Sequence, residues 1–211
     1  MTTLTSMRAL VRRDLKDEDS SEYRWTDDEI DRAIERSVLE YSEYCPLQVR
    51  NSVATVAASP DVDISALTDR INVMSVEHPL GMYPSAYHPF KLWADVLTFI
   101  DGHYGDAANC YVYWLKKHTL STSSTIPTAH DGIIALGASA FAISAQAQYT
   151  VEQGTVLGPK VNKDYNYWAK EKFAQFYEKL EAIKSYSTKR LKVTQMSPEP
   201  IEPLTPEDSD V

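Results

Sequence analysis

The chain has 211 residues, 43% of them hydrophobic and 24% charged, the balance of an ordinary folded domain, so wholesale disorder and a fibrous repeat are excluded. Thirty acidic against 21 basic side chains leave a formal charge of -9, which argues against a protein that holds nucleic acid tightly by neutralising phosphates. The length suits one core, and seven glycines without a G-x-G-x-x-G or G-x-x-x-x-G-K-[ST] pattern remove the usual phosphate cradles.

In chain order, Leu4, Met7, Leu10, Val11 and Leu15 recur at three- and four-residue steps and predict a short amphipathic helix over 4–15. The acidic run Asp17, Glu18, Asp19 then breaks the pattern, with Trp25 as an anchor at the far end of the loop. Thr26 followed by Asp27, Asp28 and Glu29 is a capping box, and Ile30, Ile34, Val38, Tyr41 and Cys45 carry a second helix over 27–45 that Pro46 stops. From 48 to 120 the period shortens, with β-branched and aromatic runs between prolines and glycines. Strands are expected near Ser52 to Ala57, Ile71 to His78, Lys91 to Ile100 and Cys110 to His118, the last two joined by a turn at Asp101-Gly102 and Gly105-Asp106. Pro127 opens a third helix over 128–152. Tyr165, Trp168, Phe173, Phe176, Leu180 and Ile183 stripe a fourth over 162–190. The fold expected is therefore α+β: about four helices in a small bundle, with an antiparallel sheet inserted between the second and third, forming a single domain over 1–190. Residues 191–211 read as an extended acidic tail, because the last seventeen hold four prolines, five acids and no base.

Residues 132–151 are uncharged throughout, nominally long enough to cross a bilayer. Ser139, Ser144, Gln146, Gln148 and Thr150 make the segment too polar for hydrocarbon, while Gly137, Ala138, Ala140, Ala142 and Ala145 permit close backbone approach, so it reads as a packed helix in a protein with no membrane span. The N-terminal residues lack the apolar run of a secretion signal, and Cys45 and Cys110 have no CxxC or Cys/His neighbours, which predicts a reducing compartment and neither zinc nor disulfide.

Candidate chemistry is sparse. Gly137-Ala138-Ser139-Ala140-Phe141 falls one residue short of G-x-S-x-G, but it lies in a helical pattern with no strand feeding it, so Ser139 reads as a small packing residue. His78, His88, His103, His118 and His130 never stand as H-x-x-x-H or H-x-H, which leaves only a site assembled in space. Asp27, Asp28, Glu29 and Asp31 suit a helix cap better than a hard cation, as do Asp61 and Asp63 a loop. The basic bias of 163–192 is interleaved with Glu171, Glu178 and Glu181, the pattern of a solvated helix face. No catalytic residue, metal or cofactor is expected.

The order of elements, with Arg13-Asp14-Leu15 before an acidic loop, the helix start Trp25-Thr26-Asp27-Asp28-Glu29-Ile30 and the small-residue helix around Gly137, resembles the head-to-tail connector (adaptor) proteins of tailed phages over most of 4–190. The resemblance implies a non-enzymatic virion protein: a ring of roughly twelve copies, docked to the portal protein on one side and to a stopper or tail protein on the other. DNA would pass through without being gripped, which suits a net negative chain. The subunit would be made in the host cytoplasm and end at the portal vertex. Within that reading Gly137, Ala138, Ser139, Ala142 and Ala145 are assigned to contacts between copies, and Leu191, Val193, Met196, Ile201 and Leu204 to the portal, ordered on contact. A stopper or tail-completion protein is the nearest alternative. From other classes stand a small hydrolase with a His/Asp or His/Ser site around His118 or His130, and a nucleic-acid module using the basic helix.

Overall fold

A computed structural model describes residues 2–152 and 159–194, with side chains over 2–149 and 164–184. The fold is α+β. Four helices, α1 (Leu4–Leu15), α2 (Asp27–Tyr44), α3 (Asp131–Glu152) and α4 (Pro159–Thr194), bracket seven strands between α2 and α3. The first helix begins and ends where the sequence predicts, and the second begins there and ends one residue earlier, at Tyr44. The Thr26 hydroxyl accepts from Glu29 N at 3.3 Å while the Glu29 carboxylate accepts from Thr26 N at 2.7 Å. Thr3 and Ser6 cap α1 in the same reciprocal way. A 3-10 turn at Thr128–His130 leads into α3.

The strands are β1 (Leu47–Ala54), β2 (Asp61–Asp63), β3 (Arg70–Glu77), β4 (Tyr87–His88), β5 (Phe90–Trp93), β6 (Val96–Phe99) and β7 (Asn109–Lys116). They make two antiparallel sheets rather than one, ordered β1-β7-β3-β4 and β2-β6-β5. The expected single strand over 91–100 is a hairpin, in which Trp93 pairs with Val96 across a two-residue loop. Ala94 takes the left-handed conformation there with φ 50°, so the turn carries none of the glycine, proline or asparagine by which such turns announce themselves. The turn at 101–106 consequently joins one sheet to the other instead of closing a hairpin.

Two apolar clusters form where the length suggested one core. The first unites Met7, Val11, Ile30, Ile34, Val38, Ile134, Ile143, Phe176 and Leu180 from all four helices. The second joins Val62, Leu97 and Phe99 of the smaller sheet to Val73, Val76, Val112 and Trp114 of the larger. Polar contacts hold the segment after β7 to the helices: His118 N donates to Ser42 Oγ at 3.0 Å, and Leu4 N donates to Ser121 O at 2.8 Å.

α3 is the centre of the helical cluster. Residues 134–143 are all buried, so over this stretch the helix has no solvent face, as expected for a segment that is apolar all round. Among the described residues no helix is long and apolar enough to cross a membrane. A Cβ on Gly137 would lie 2.4 Å from Ser37 Oγ and 2.6 Å from Phe176, which measures how closely α2 and α4 approach. Gly137, Ala138, Ser139 and Ala142 are thus enclosed within one chain, and their assignment to contacts between copies is corrected: small residues let α3 sit inside its own bundle. Ala145 is exposed.

Candidate functional site

Ser139 is fully buried; its hydroxyl donates to Leu136 O at 2.9 Å and accepts from Lys172 Nζ at 3.2 Å. Burial lowers the Lys172 pKa, yet the serine proton is held by its own helix and nothing opens towards the oxygen. This is a packed hydroxyl.

His118 and His130 do not come together as acid and base. His118 is buried, with Nε2 3.0 Å from Cys45 O and Nδ1 3.1 Å from Thr125 Oγ1. Facing a carbonyl fixes the proton on Nε2, and the threonine hydroxyl then occupies the lone pair of Nδ1. His130 Nδ1 is bonded to the Tyr41 hydroxyl at 2.6 Å, and burial raises the Tyr41 pKa well above its ordinary value. Asp131 accepts instead from the Thr2 hydroxyl. Both histidines are spent on structure. An open cleft of about 840 Å³ between α2 and residues 117–121 has His118, Ile34, Val38 and Leu120 in its walls together with the charged side chains of Asp28, Glu35 and Lys117.

Burial lowers the His118 pKa below 6.5, so the folded chain binds fewer protons there than the unfolded chain. Its contribution to stability is therefore present above about pH 6.5 and lost as pH falls through the folded value. Urea unfolding at pH 7.5 and 5.0 should show a smaller acid loss for His118→Gln than for the unaltered protein. Equal losses would remove His118 from the account.

Three of the five histidines do meet in space. His78 Nδ1 lies 2.7 Å from His103 Nε2, and His88 stacks on His103 with ring centroids 3.9 Å apart. Asp106 and Asp101 flank the group, at 3.0 Å from His78 and 2.7 Å from His88. Among the described residues no set of three or more His, Cys, Asp or Glu is arranged to hold a metal ion. Spacing along the chain hid this cluster, because its members stand on β3–β4 and the loop after β6.

Of the acidic residues at the start of α2, Asp27, Glu29 and Asp31 are occupied. Arg8 donates to Asp31 and Asp27, and Arg12 to Asp17 and Asp27, all at 2.7–2.9 Å. The Arg12 guanidinium holds the Asp27 carboxyl below the usual carboxylate range. Asp63 caps Ser65 N, and Asp61 accepts from Thr98. Both cysteines are free thiols, and burial pushes that of Cys110 up to about 11.

What the structure leaves open is surface. Of the fourteen large apolar side chains exposed among the described residues, eight lie within 82–104: Met82, Tyr83, Tyr87, Leu92, Trp93, Val96, Ile100 and Tyr104. Tyr83 is fully exposed and Trp93 is 85% exposed. Exposed aromatic residues concentrated in the β5–β6 hairpin and the loops around it are the kind of surface that proteins use to meet one another. Of the residues assigned to the portal, Leu191 and Val193 lie at the end of α4 where side chains are not described, and Met196, Ile201 and Leu204 lie outside the described residues. No protein-family model matches this chain, and no curated protein is significantly similar to it.

Proposed function

We propose that this chain is a structural subunit of a tailed-phage neck, a head-to-tail adaptor that forms a ring between portal and tail and acts through its surfaces. The observation that carries the reading is the concentration of exposed apolar side chains on the β insertion, beside a helical body in which Ser139, His118 and His130 are occupied in structural bonds. The net charge of -9 supports it further, since a wall that repels phosphates lets DNA slide. With α3 enclosed, contacts to neighbours pass to the insertion, and the helical cluster serves as a rigid mount for it.

Locating the protein in purified particles tests the assignment. It is expected at the portal vertex in multiple copies, with cross-links to the portal protein separating an adaptor from a stopper; absence from the particle would refute the proposal. A surface test accompanies it. Tyr83→Ser combined with Trp93→Ser should change the unfolding free energy by less than about 0.5 kcal/mol per site. The same variant should lose assembly, measured by sedimentation of the protein mixed with portal. Normal assembly would place the working surface elsewhere.

A further inference from the structure

We propose that His78, His88 and His103 form an acid-opened latch that fastens the 79–89 segment to the 100–106 loop, at the junction of the two sheets. The inference is independent of the phage assignment. His78 follows β3 and is 1% exposed, His88 lies in β4, and His103 sits in the loop after β6.

Counting protons fixes the behaviour. Both ring nitrogens of His88 face acceptors, Asp101 Oδ2 at 2.7 Å and the His78 carbonyl at 2.6 Å, so both are satisfied only when both carry protons. His78 is bonded to Asp106 through Nε2 at 3.0 Å and to His103 through Nδ1 at 2.7 Å. A hydrogen bond between two imidazole nitrogens holds one proton. The His78–His103 pair can therefore carry at most one positive charge with its bridge intact. A second places two N–H groups against each other in a 2.7 Å gap and breaks it.

The charged groups facing the cluster are Asp101 and Asp106 from the loop and the histidines themselves; Glu77, next to His78, is turned away to accept from the Tyr113 hydroxyl on β7. Burial, followed by the neighbouring His88 and His78, opposes charge on His103 and holds its pKa below 6.5. At His103 the folded chain takes up fewer protons than the open one, so the stability this ring lends the latch is present above about pH 6.5 and lost as pH falls through its lower folded value, where the second charge breaks the bridge. Phe99 packs against His88 and His103 at ring-centroid distances of 5.5 and 5.0 Å, so opening also loosens the end of β6. The segment released carries Met82 and Tyr83, which places part of the exposed apolar surface under control of pH.

Hydrogen exchange followed by mass spectrometry on the full chain, corrected for the intrinsic pH dependence of exchange, tests this. Between pH 7.5 and 5.0, protection in peptides covering 76–90 and 97–107 should fall at least about tenfold while α1–α3 keep theirs. Unchanged protection in those peptides would overturn the latch. His103→Gln keeps an N–H to offer His78 but cannot take up a proton, so it should remove most of the acid response; a response equal to that of the unaltered protein would also overturn it. If H103Q is already loose at pH 7.5, ring-nitrogen NMR of the unaltered protein decides. One ring of the His78–His103 pair resisting protonation until protection is lost supports the latch, and both rings charging near pH 6.5 with protection retained refutes it.

Discussion

Gly137→Leu is expected to abolish folding of the helical cluster, and Gly137→Ala alone to cost about 1–3 kcal/mol. The first Cβ would fall 2.4 Å from Ser37 Oγ and 2.6–2.7 Å from the Phe176 ring. Neither neighbour can yield cheaply, because the Ser37 hydroxyl donates to Ile134 O at 3.0 Å and Phe176 is completely buried. Urea unfolding followed by circular dichroism reads the loss. Ala145→Leu, eight residues along the same helix at an exposed position, is the control and should stay within about 0.5 kcal/mol. If the two leucine variants were equally stable, the enclosure of α3 described above would be wrong.

The second large effect belongs to Arg12. Its side chain is nearly buried, donates to Asp17, Asp27 and the Trp25 carbonyl, and lies 3.5 Å from the Tyr23 ring centre. Asp17 is equally buried and also accepts from the backbone N–H groups of Arg24 and Trp25, so the pair organises the whole loop between α1 and α2. Removing the guanidinium leaves that carboxylate without its counter-ion, and Arg12→Met should cost about 3–5 kcal/mol. Adding Asp17→Asn, which discards the stranded charge and keeps an oxygen for the closer N–H group, that of Arg24 at 2.7 Å, should return part of the loss. A cost below about 1 kcal/mol for R12M would mean that the pair behaves like a solvent-screened surface bridge.

Both residues matter to the proposed role for the same reason. A subunit that works by contact needs a mount that does not deform, and Gly137 and Arg12 fix the two joints of that mount: α3 within its bundle, and the α1–α2 corner. Trp25 couples them, since its indole N–H donates to the Ala142 carbonyl of α3 at 3.2 Å. The β insertion, with its own apolar cluster, can then present Tyr83 and Trp93 without drawing on the helical core.

The helices were legible in the amino-acid order because their signals are local. A capping box at Thr26, a breaker at Pro46 and apolar steps of three and four place α1 and α2, and the stripe from Tyr165 to Ile183 is the face that α4 turns to the core. The insertion was legible as β structure, but its division into two sheets was not, because the β5–β6 turn is made by an alanine in a glycine conformation. The alternation of a short strand does not say which sheet it joins. The acidic loop was visible while its partner was not: Arg12 and Arg13 are neighbours in sequence, and only the turn of α1 decides that Arg12 points inward.

Periodicity and caps, which act over a few residues, determined where this chain is helical and that a sheet region interrupts the helices. Tertiary packing decided what the small residues of α3 face, how three histidines 10 to 25 positions apart come to share protons, and which aromatics remain outside. Those outcomes depend on contacts between segments far apart in the chain, whose free energies no local pattern encodes.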